Sequence, residues 1–166
     1  MKMKNRAEWV GKHISKTEKI LDIGIKDAYV FHTLGFYPDV AVDIHPEDVP
    51  KEVKKHVNFY KASIYDLPFS DNSFSVVTVT EVLEHLKEPE KGIKECMRVG
   101  SRVVGTVPRG DHKSKYPQYY EFERGSLLRI LGNIGSYTIR EIKTPNWEGF
   151  GFIISKNRCS NFERKR

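Results

Sequence analysis

The chain has 166 residues, 39% of them hydrophobic and 30% charged, which is room for one domain with a real core and the composition of a globular protein, not a disordered or fibrous one. The formal net charge is +6 and the basic residues crowd both ends, a pattern that could attract nucleic acid or an acidic surface, or could simply solvate the termini. No apolar run approaches the roughly eighteen residues of a membrane span, the basic N-terminus leads into no apolar signal core, and the pair Cys96 and Cys159 suggests no disulfide framework; the expectation is a cytoplasmic protein with no membrane partner.

In chain order, Trp9, Val10, His13 and Ile14 recur at helical spacing, predicting a short amphipathic helix over about 6–15. Ile20 to Ile23 predicts a first strand. Asp27 can cap a short helix through Ala28, Val30 and Phe31, stopped by Gly35. Val40 to Ile44 predicts a second strand, and Pro46 opens a polar helical stretch. Val57 to Tyr60 is a third strand. Ser63 to Ser73 is a turn-rich loop with Leu67 and Phe69 as apolar plugs. Phe74 to Thr80 is the clearest strand, nearly continuous in β-branched residues, as a strand buried on both faces should be. Glu81 to Leu86 predicts one or two helical turns. Pro89 opens a helix with Ile93, Cys96, Met97 and Val99 on its apolar side, ended by Gly100. Arg102 to Val107 is a fifth strand. Pro108 to Tyr120 is a long loop, and such loops in a compact domain are usually functional or mobile. A helix over Glu123 to Leu131, a strand pair at Tyr137–Ile142 and Gly149–Ile154, and a frayed tail from Asn157 complete the chain. Neither an internal repeat nor a domain linker interrupts it, so the expectation is a single domain over 1–166 with its core at about 18–155. Strand–helix alternation predicts a mostly parallel sheet with helices on both faces, and the closing hairpin predicts one antiparallel edge.

Two short apolar runs carry the functional reading. Lys19-Ile20-Leu21-Asp22-Ile23-Gly24 and Val40-Ala41-Val42-Asp43-Ile44 each end in an acidic residue or glycine, and they begin twenty-one positions apart. A first strand, crossover helix and second strand that hold a nucleoside-bearing cofactor have this form. Gly24 lets the backbone approach a ligand. Asp43 is placed to accept hydrogen bonds from a ribose diol, or else to cap the segment that starts at Pro46.

The chain then resembles the class I S-adenosylmethionine-dependent methyltransferases, in particular the type 11 family, over about residues 18–155. The specific part of the likeness is Asp66-Leu67-Pro68-Phe69-Ser70-Asp71-Asn72-Ser73-Phe74, then Glu81-Val82-Leu83-Glu84-His85-Leu86, then Glu95-Cys96-Met97-Arg98-Val99. The resemblance implies a Rossmann-like, seven-stranded sheet of order 3-2-1-4-5-7-6 with the last strand antiparallel. It implies that the cofactor, S-adenosylmethionine (product S-adenosylhomocysteine), lies across the C-terminal ends of strands 1, 2 and 4. On that basis Asp22, Gly24, Ile25, Asp43, Ile44, Ser63, Ile64 and Thr80 are expected to meet the cofactor, and no metal is expected. Glu81 is a candidate for the cofactor ammonium or for a base, or is a solvent-facing first-turn glutamate. His85 is a candidate base, since an imidazole suits proton removal near neutral pH, or packs against the sheet. Arg109, His112, Tyr116, Tyr119 and Tyr120 are expected over the acceptor pocket, with Trp147 similarly placed, or else form surface and edge.

Three departures from the family pattern stand out. Asp22-Ile23-Gly24-Ile25-Lys26-Asp27 keeps one glycine where two or three are usual. Ser63 stands where an Asp usually takes the adenine amino group. The turn Arg98–Arg102 is short. The reduced glycine loop motivates an alternative, a binding or partner module that has lost catalysis. The absence of an Asp/Asn-Pro-Pro-Tyr run after the fourth strand argues against DNA amino-methylation. Neither cysteine follows a proline, which argues against cytosine C5 methylation. The acceptor expected is a small molecule, with RNA or protein as alternatives, and a nucleotide-binding oxidoreductase ranks low because Gly-x-Gly-x-x-Gly is missing.

Overall fold

The computed structural model describes residues 5–110 and 114–156. Its strands are β1 (Ile20–Ile23), β2 (Val40–Asp43), β3 (Asn58–Lys61), β4 (Val76–Thr80), β5 (Arg102–Pro108), β6 (Ser136–Lys143) and β7 (Glu148–Ser155). They form one sheet in the order β3-β2-β1-β4-β5-β7-β6. The first five are parallel, and β7 runs antiparallel to β5 and β6. This is the expected order with the expected antiparallel strand. The helices are α1 (Arg6–Gly11), α2 (Tyr29–Leu34), α3 (Lys51–His56), α4 (Pro89–Val99) and α5 (Arg124–Gly132).

The period of two along each strand assigns side chains to the two faces. Leu21 and Ile23 of β1, Val77 and Val79 of β4, and Val103 of β5 pack with Ile93, Cys96 and Met97 of α4 and Leu127 and Leu131 of α5. The intervening Ile20, Val76 and Val104 pack with Trp9 and Val10 of α1 and Phe31 of α2. Ala41, from the middle of β2, meets Val53 of α3. Both faces of the central strands are therefore buried, which is why β4 reads as an unbroken β-branched run.

The regular elements end where the backbone finds other partners. The first helix stops at Gly11, short of Ser15, because the His13 N–H turns back to the Val10 carbonyl at 2.8 Å. Ile14 is buried all the same. The N-cap of α2 is Ala28, not Asp27, yet the Asp27 carboxylate still accepts the Tyr29 N–H at 3.2 Å. The fourth strand starts at Val76 because Phe74 only bridges to Gly100 and the Ser75 N–H goes to Lys19.

The loop from Ser63 to Ser73 is held by Arg98 of α4. Its guanidinium donates to the carbonyls of Phe69 (2.8 Å) and Leu67 (3.0 Å), to Asp71 Oδ1 (2.8 Å) and to both oxygens of Glu95 (2.8 Å each). Glu95 Oε1 in turn accepts the Leu67 N–H at 2.9 Å. Bidentate guanidinium–carboxylate geometry fixes position as well as adding energy. The runs 66–74 and 95–99 thus belong to one structural staple, and it carries β3 into β4 at the correct height.

Candidate active site

Strands β1, β2 and β4 end side by side at Ile23, Asp43 and Thr80, and the loops that follow enclose a cleft of about 720 Å³. That size suits a nucleoside-sized ligand. Asp22, Gly24, Ile25, Asp43, Ile44, Ser63, Ile64, Thr80, Glu81, His85, Tyr116 and Tyr119 all line it. Residues up to 97 positions apart in the chain thereby share one cleft.

The floor is the loop after β1. Gly24 has φ +73°, and a Cβ there would come within 2.6 Å of Val82 Cγ2. Lys26 and Ala28 also adopt left-handed backbone, at φ 44° and 55°. Such a conformation costs a non-glycine residue roughly 1–2 kcal/mol. The turn a glycine-rich loop would make is therefore made here under strain, held by Lys26 N–H on Asp43 Oδ2 (3.3 Å) and Gly24 N–H on the Val42 carbonyl (2.8 Å). Beneath it Asp22 is buried and accepts the Thr78 hydroxyl at 2.5 Å. Burial raises the Asp22 carboxyl to about 7; Thr78 opposes that shift and the charge of Asp43 adds to it.

Asp43 ends β2 with both oxygens engaged, Oδ2 by Lys26 N–H and Oδ1 by His45 N–H at 2.9 Å. A carboxylate has about four lone-pair directions, so it can still accept from a diol. Ile44 next to it lines the cleft while 55% exposed, a large apolar surface left uncovered by the chain itself. Ile64 is buried and also lines the cleft. The Ser63 hydroxyl oxygen accepts the Tyr65 N–H at 3.2 Å, so it is partly committed to its own turn.

After β4 the backbone turns sharply at Glu81, φ 57°. Its carboxylate is not solvent-facing: Oε1 accepts from Thr106 Oγ1 (3.1 Å) and Oε2 from Trp147 Nε1 (2.9 Å). Trp147 itself does not line the cleft; it ties the β6–β7 hairpin to the end of β4. Leu83–His85 form a single 3-10 turn. His85 Nδ1 donates to the Pro117 carbonyl at 2.8 Å, and Nε2 lies 3.8 Å from Glu84 Oε1. Glu84 is 2% exposed, lines the cleft, and its Oε2 has no hydrogen-bond partner among the described residues. Burial, with the charge of Glu81 adding to it, raises its carboxyl well above the ordinary range; its own backbone N–H contacts and Arg6 act the other way.

Residues 114–120 cross the cleft as a strap. On one wall Lys115 Nζ pairs with both oxygens of Asp48 (2.7 and 2.9 Å) and Tyr116 stacks on His45 at 4.7 Å. On the other, the N–H groups of Tyr119 and Tyr120 reach the Glu84 carbonyl at 2.8 and 3.2 Å. Tyr116 and Tyr119 face the cleft as expected; Arg109 and Tyr120 do not line it. Arg109 is drawn to the sheet edge by Glu148 and Glu141, each at 2.7 Å, with its guanidinium 4.9 Å over Phe150. Tyr120 stacks on Phe122 and packs on the core. His112 lies outside the described residues. Sequence reasoning missed Arg6, Asp48 and Glu84, all of which line the cleft. Arg6 reads as one more basic terminal residue. Glu84 had one available signal, an acid between Leu83 and His85 within the specific run 81–86.

Residues 21–102 match a family model described as a methyltransferase domain. An uncharacterized methyltransferase of Schizosaccharomyces pombe is 32% identical over 107 residues, covering 53% of this chain and 38% of that protein. A demethylmenaquinone methyltransferase of Clavibacter sepedonicus is 34% identical over 114 residues, covering 64% and 46% respectively. The chain therefore spans less than half the length of these relatives. Among solved structures, a Thermotoga maritima protein described as a SAM-dependent methyltransferase and possible histamine N-methyltransferase superposes with TM-score 0.70 at 14% identity, covering 91% of this chain and 87% of that one.

Proposed function

The chain belongs to the class I S-adenosylmethionine-dependent methyltransferases, and from that premise we propose that it moves a methyl group from S-adenosylmethionine to a small-molecule acceptor beneath the strap. The observation that carries the proposal is the joint position of Gly24, Asp43 and the uncovered Ile44 around one cleft. Each supplies a feature the cofactor needs. Gly24 makes the left-handed turn that brings backbone to the cleft with Val82 packed against it, Asp43 keeps lone pairs for ribose hydroxyls, and Ile44 and Ile64 offer apolar surface for an adenine ring. The residues fit the group.

In this reading Asp43 holds the ribose, Ile44 and Ile64 flank the base with Ser63 at its edge, and Asp22, Gly24, Ile25 and Thr80 border the methionyl chain. When bound, the sulfonium supplies an activated methyl group, so the protein's part is alignment and exclusion of water. The strap excludes water: Tyr116 and Tyr119 cover the cleft while Lys115 and the Glu84 carbonyl hold the strap on opposite walls. Glu81 acts as a positioning residue, its two oxygens holding Thr106 and Trp147 and so tying the β6–β7 hairpin to the end of β4. His85 likewise holds the strap through Nδ1. The small-molecule acceptor is favoured by the strap that crosses the cleft and narrows it, and the demethylmenaquinone methyltransferase relative acts on a small molecule by its name.

Calorimetric titration with S-adenosylmethionine and S-adenosylhomocysteine tests the proposal. Saturable binding that Asp43→Ala abolishes supports it; a folded protein that binds neither ligand is instead the binding module. RNA as acceptor has a separate signature, an affinity that falls steeply with salt; a flat salt response removes it.

A further inference from the structure

Glu84 is a cleft residue whose chemistry the proposed function leaves unused. We propose that Glu84 is a catalytic residue: its inward carboxyl oxygen takes an N–H of an amine acceptor and receives the proton that must leave before nitrogen can be methylated. The inference rests on the reading of the cleft as a methyltransferase site.

Three observations carry it. Glu84 is 2% exposed, and Oε2 has no hydrogen-bond partner among the described residues. A buried polar atom left in this state is unfavourable, and a ligand donor would relieve it. The rest of the residue is pinned: its carbonyl accepts two strap N–H groups, and Oε1 lies 3.8 Å from His85 Nε2. The strap thereby fixes the backbone of Glu84 at the cleft wall. Finally, the groups facing it select the ligand. Glu81, in the turn below, acts on it as a fixed negative charge, while Arg6 from α1 is the opposing cation and lies 4.6 Å over the Tyr29 ring, outside ion-pair range of Glu84. Burial favours the neutral form of this carboxyl, and when a cation enters beside it the carboxyl gives up its proton to solvent and can then receive one from the ligand. An ammonium supplies that charge and carries the proton to be lost; an alcohol or a carbon acid supplies no charge.

The step balances. One N–H bond of the ammonium breaks, its electron pair stays on nitrogen, and the proton goes to Glu84 Oε2. Nitrogen then uses that pair to form the new bond to the methyl carbon, while the carbon–sulfur pair returns to sulfur as a neutral thioether. The N-methylammonium product keeps the charge. Burial, which favours the neutral carboxyl, now favours proton uptake.

Benzylamine and its neutral isostere benzyl alcohol serve as probes, titrated into protein loaded with S-adenosylhomocysteine, with the Glu84 side-chain carboxyl carbon followed by NMR and assigned by its loss in Glu84→Gln. Benzylamine should bind, should move that carbon to the ionised position, and should bind at least ten-fold more weakly to Glu84→Gln; benzyl alcohol should do none of these. S-adenosylhomocysteine affinity should stay within two-fold in the variant, which also shows that it folds. Equal benzylamine affinity in the two proteins, or no benzylamine binding to the loaded wild type, overturns the inference. So does loss of S-adenosylhomocysteine binding in Glu84→Gln, which would assign the carboxyl to the cofactor. Failure of the wild type to bind S-adenosylhomocysteine overturns the underlying reading instead.

Discussion

Asp22 is a buried carboxyl with one hydrogen bond from Thr78, and burial raises it from 3.8 to about 7. Between those values the folded protein holds a proton on Asp22 that the unfolded chain has lost. The stability due to the neutral group is therefore full below 3.8 and lost as pH rises through about 7. Asp22→Asn keeps the Thr78 contact and cannot ionise. In urea unfolding of the ligand-free protein, wild type should lose stability relative to Asp22→Asn on going from about pH 5 to about pH 8, by on the order of a few kcal/mol. A difference that does not change with pH would contradict the burial account. Asp22 and Asp43 were legible in the sequence because each ends a short apolar run. The engagement of Glu81 by Trp147 was not, since the two are 66 positions apart and meet only when the hairpin packs on β4.

The loop after β1 and the loop from Ser63 to Ser73 show how an element can be legible while its means are hidden. One glycine in the first loop reads as a loss, yet Lys26 and Ala28 make the left-handed turns without glycine. Residue type does not encode that strain; the bonds to Asp43 and Val42 impose it. Lys26→Gly should relieve roughly 1–2 kcal/mol of strain against roughly 0.5–1 kcal/mol of added unfolded-chain entropy, a net gain of about 0.5 kcal/mol in thermal or urea unfolding. A clear destabilisation would show that Lys26 holds the loop by its side chain. In the second loop the motif was legible but its purpose was not. Arg98 binds two carbonyls and two carboxylates there, so Arg98→Lys, which cannot reproduce the bidentate fork, should lower the melting temperature by several degrees, and Lys94→Ala on the same helix should not. The strand boundaries at Val76 and Gly11 depended on where single N–H groups turned, which periodicity does not reveal.

At the scale of the molecule, seven strands in the order β3-β2-β1-β4-β5-β7-β6 place three loop-bearing strand ends together, and the strap closes the cleft they form. The sheet order was legible through the likeness of 66–74, 81–86 and 95–99 to one family, and the helical layers through apolar spacing. The place of the 108–120 loop over the pocket was legible, but its fastening was not, because the anchors at His45 and Asp48 and at Glu84 come from two other loops. Since those anchors join opposite walls, Lys115→Ala should speed ligand release in stopped-flow displacement more than it alters unfolding, because the Lys115–Asp48 pair is exposed on the lysine side. The central claim is that this cleft holds S-adenosylmethionine through Asp43. Calorimetric titration of S-adenosylhomocysteine into wild type and Asp43→Ala tests it most directly. The account predicts micromolar binding by the wild type and a loss of about ten-fold or more in the variant, from charge-assisted hydrogen bonds of about 1.5–3 kcal/mol. Equal affinity in the two proteins, or no binding by the folded wild type, would contradict it.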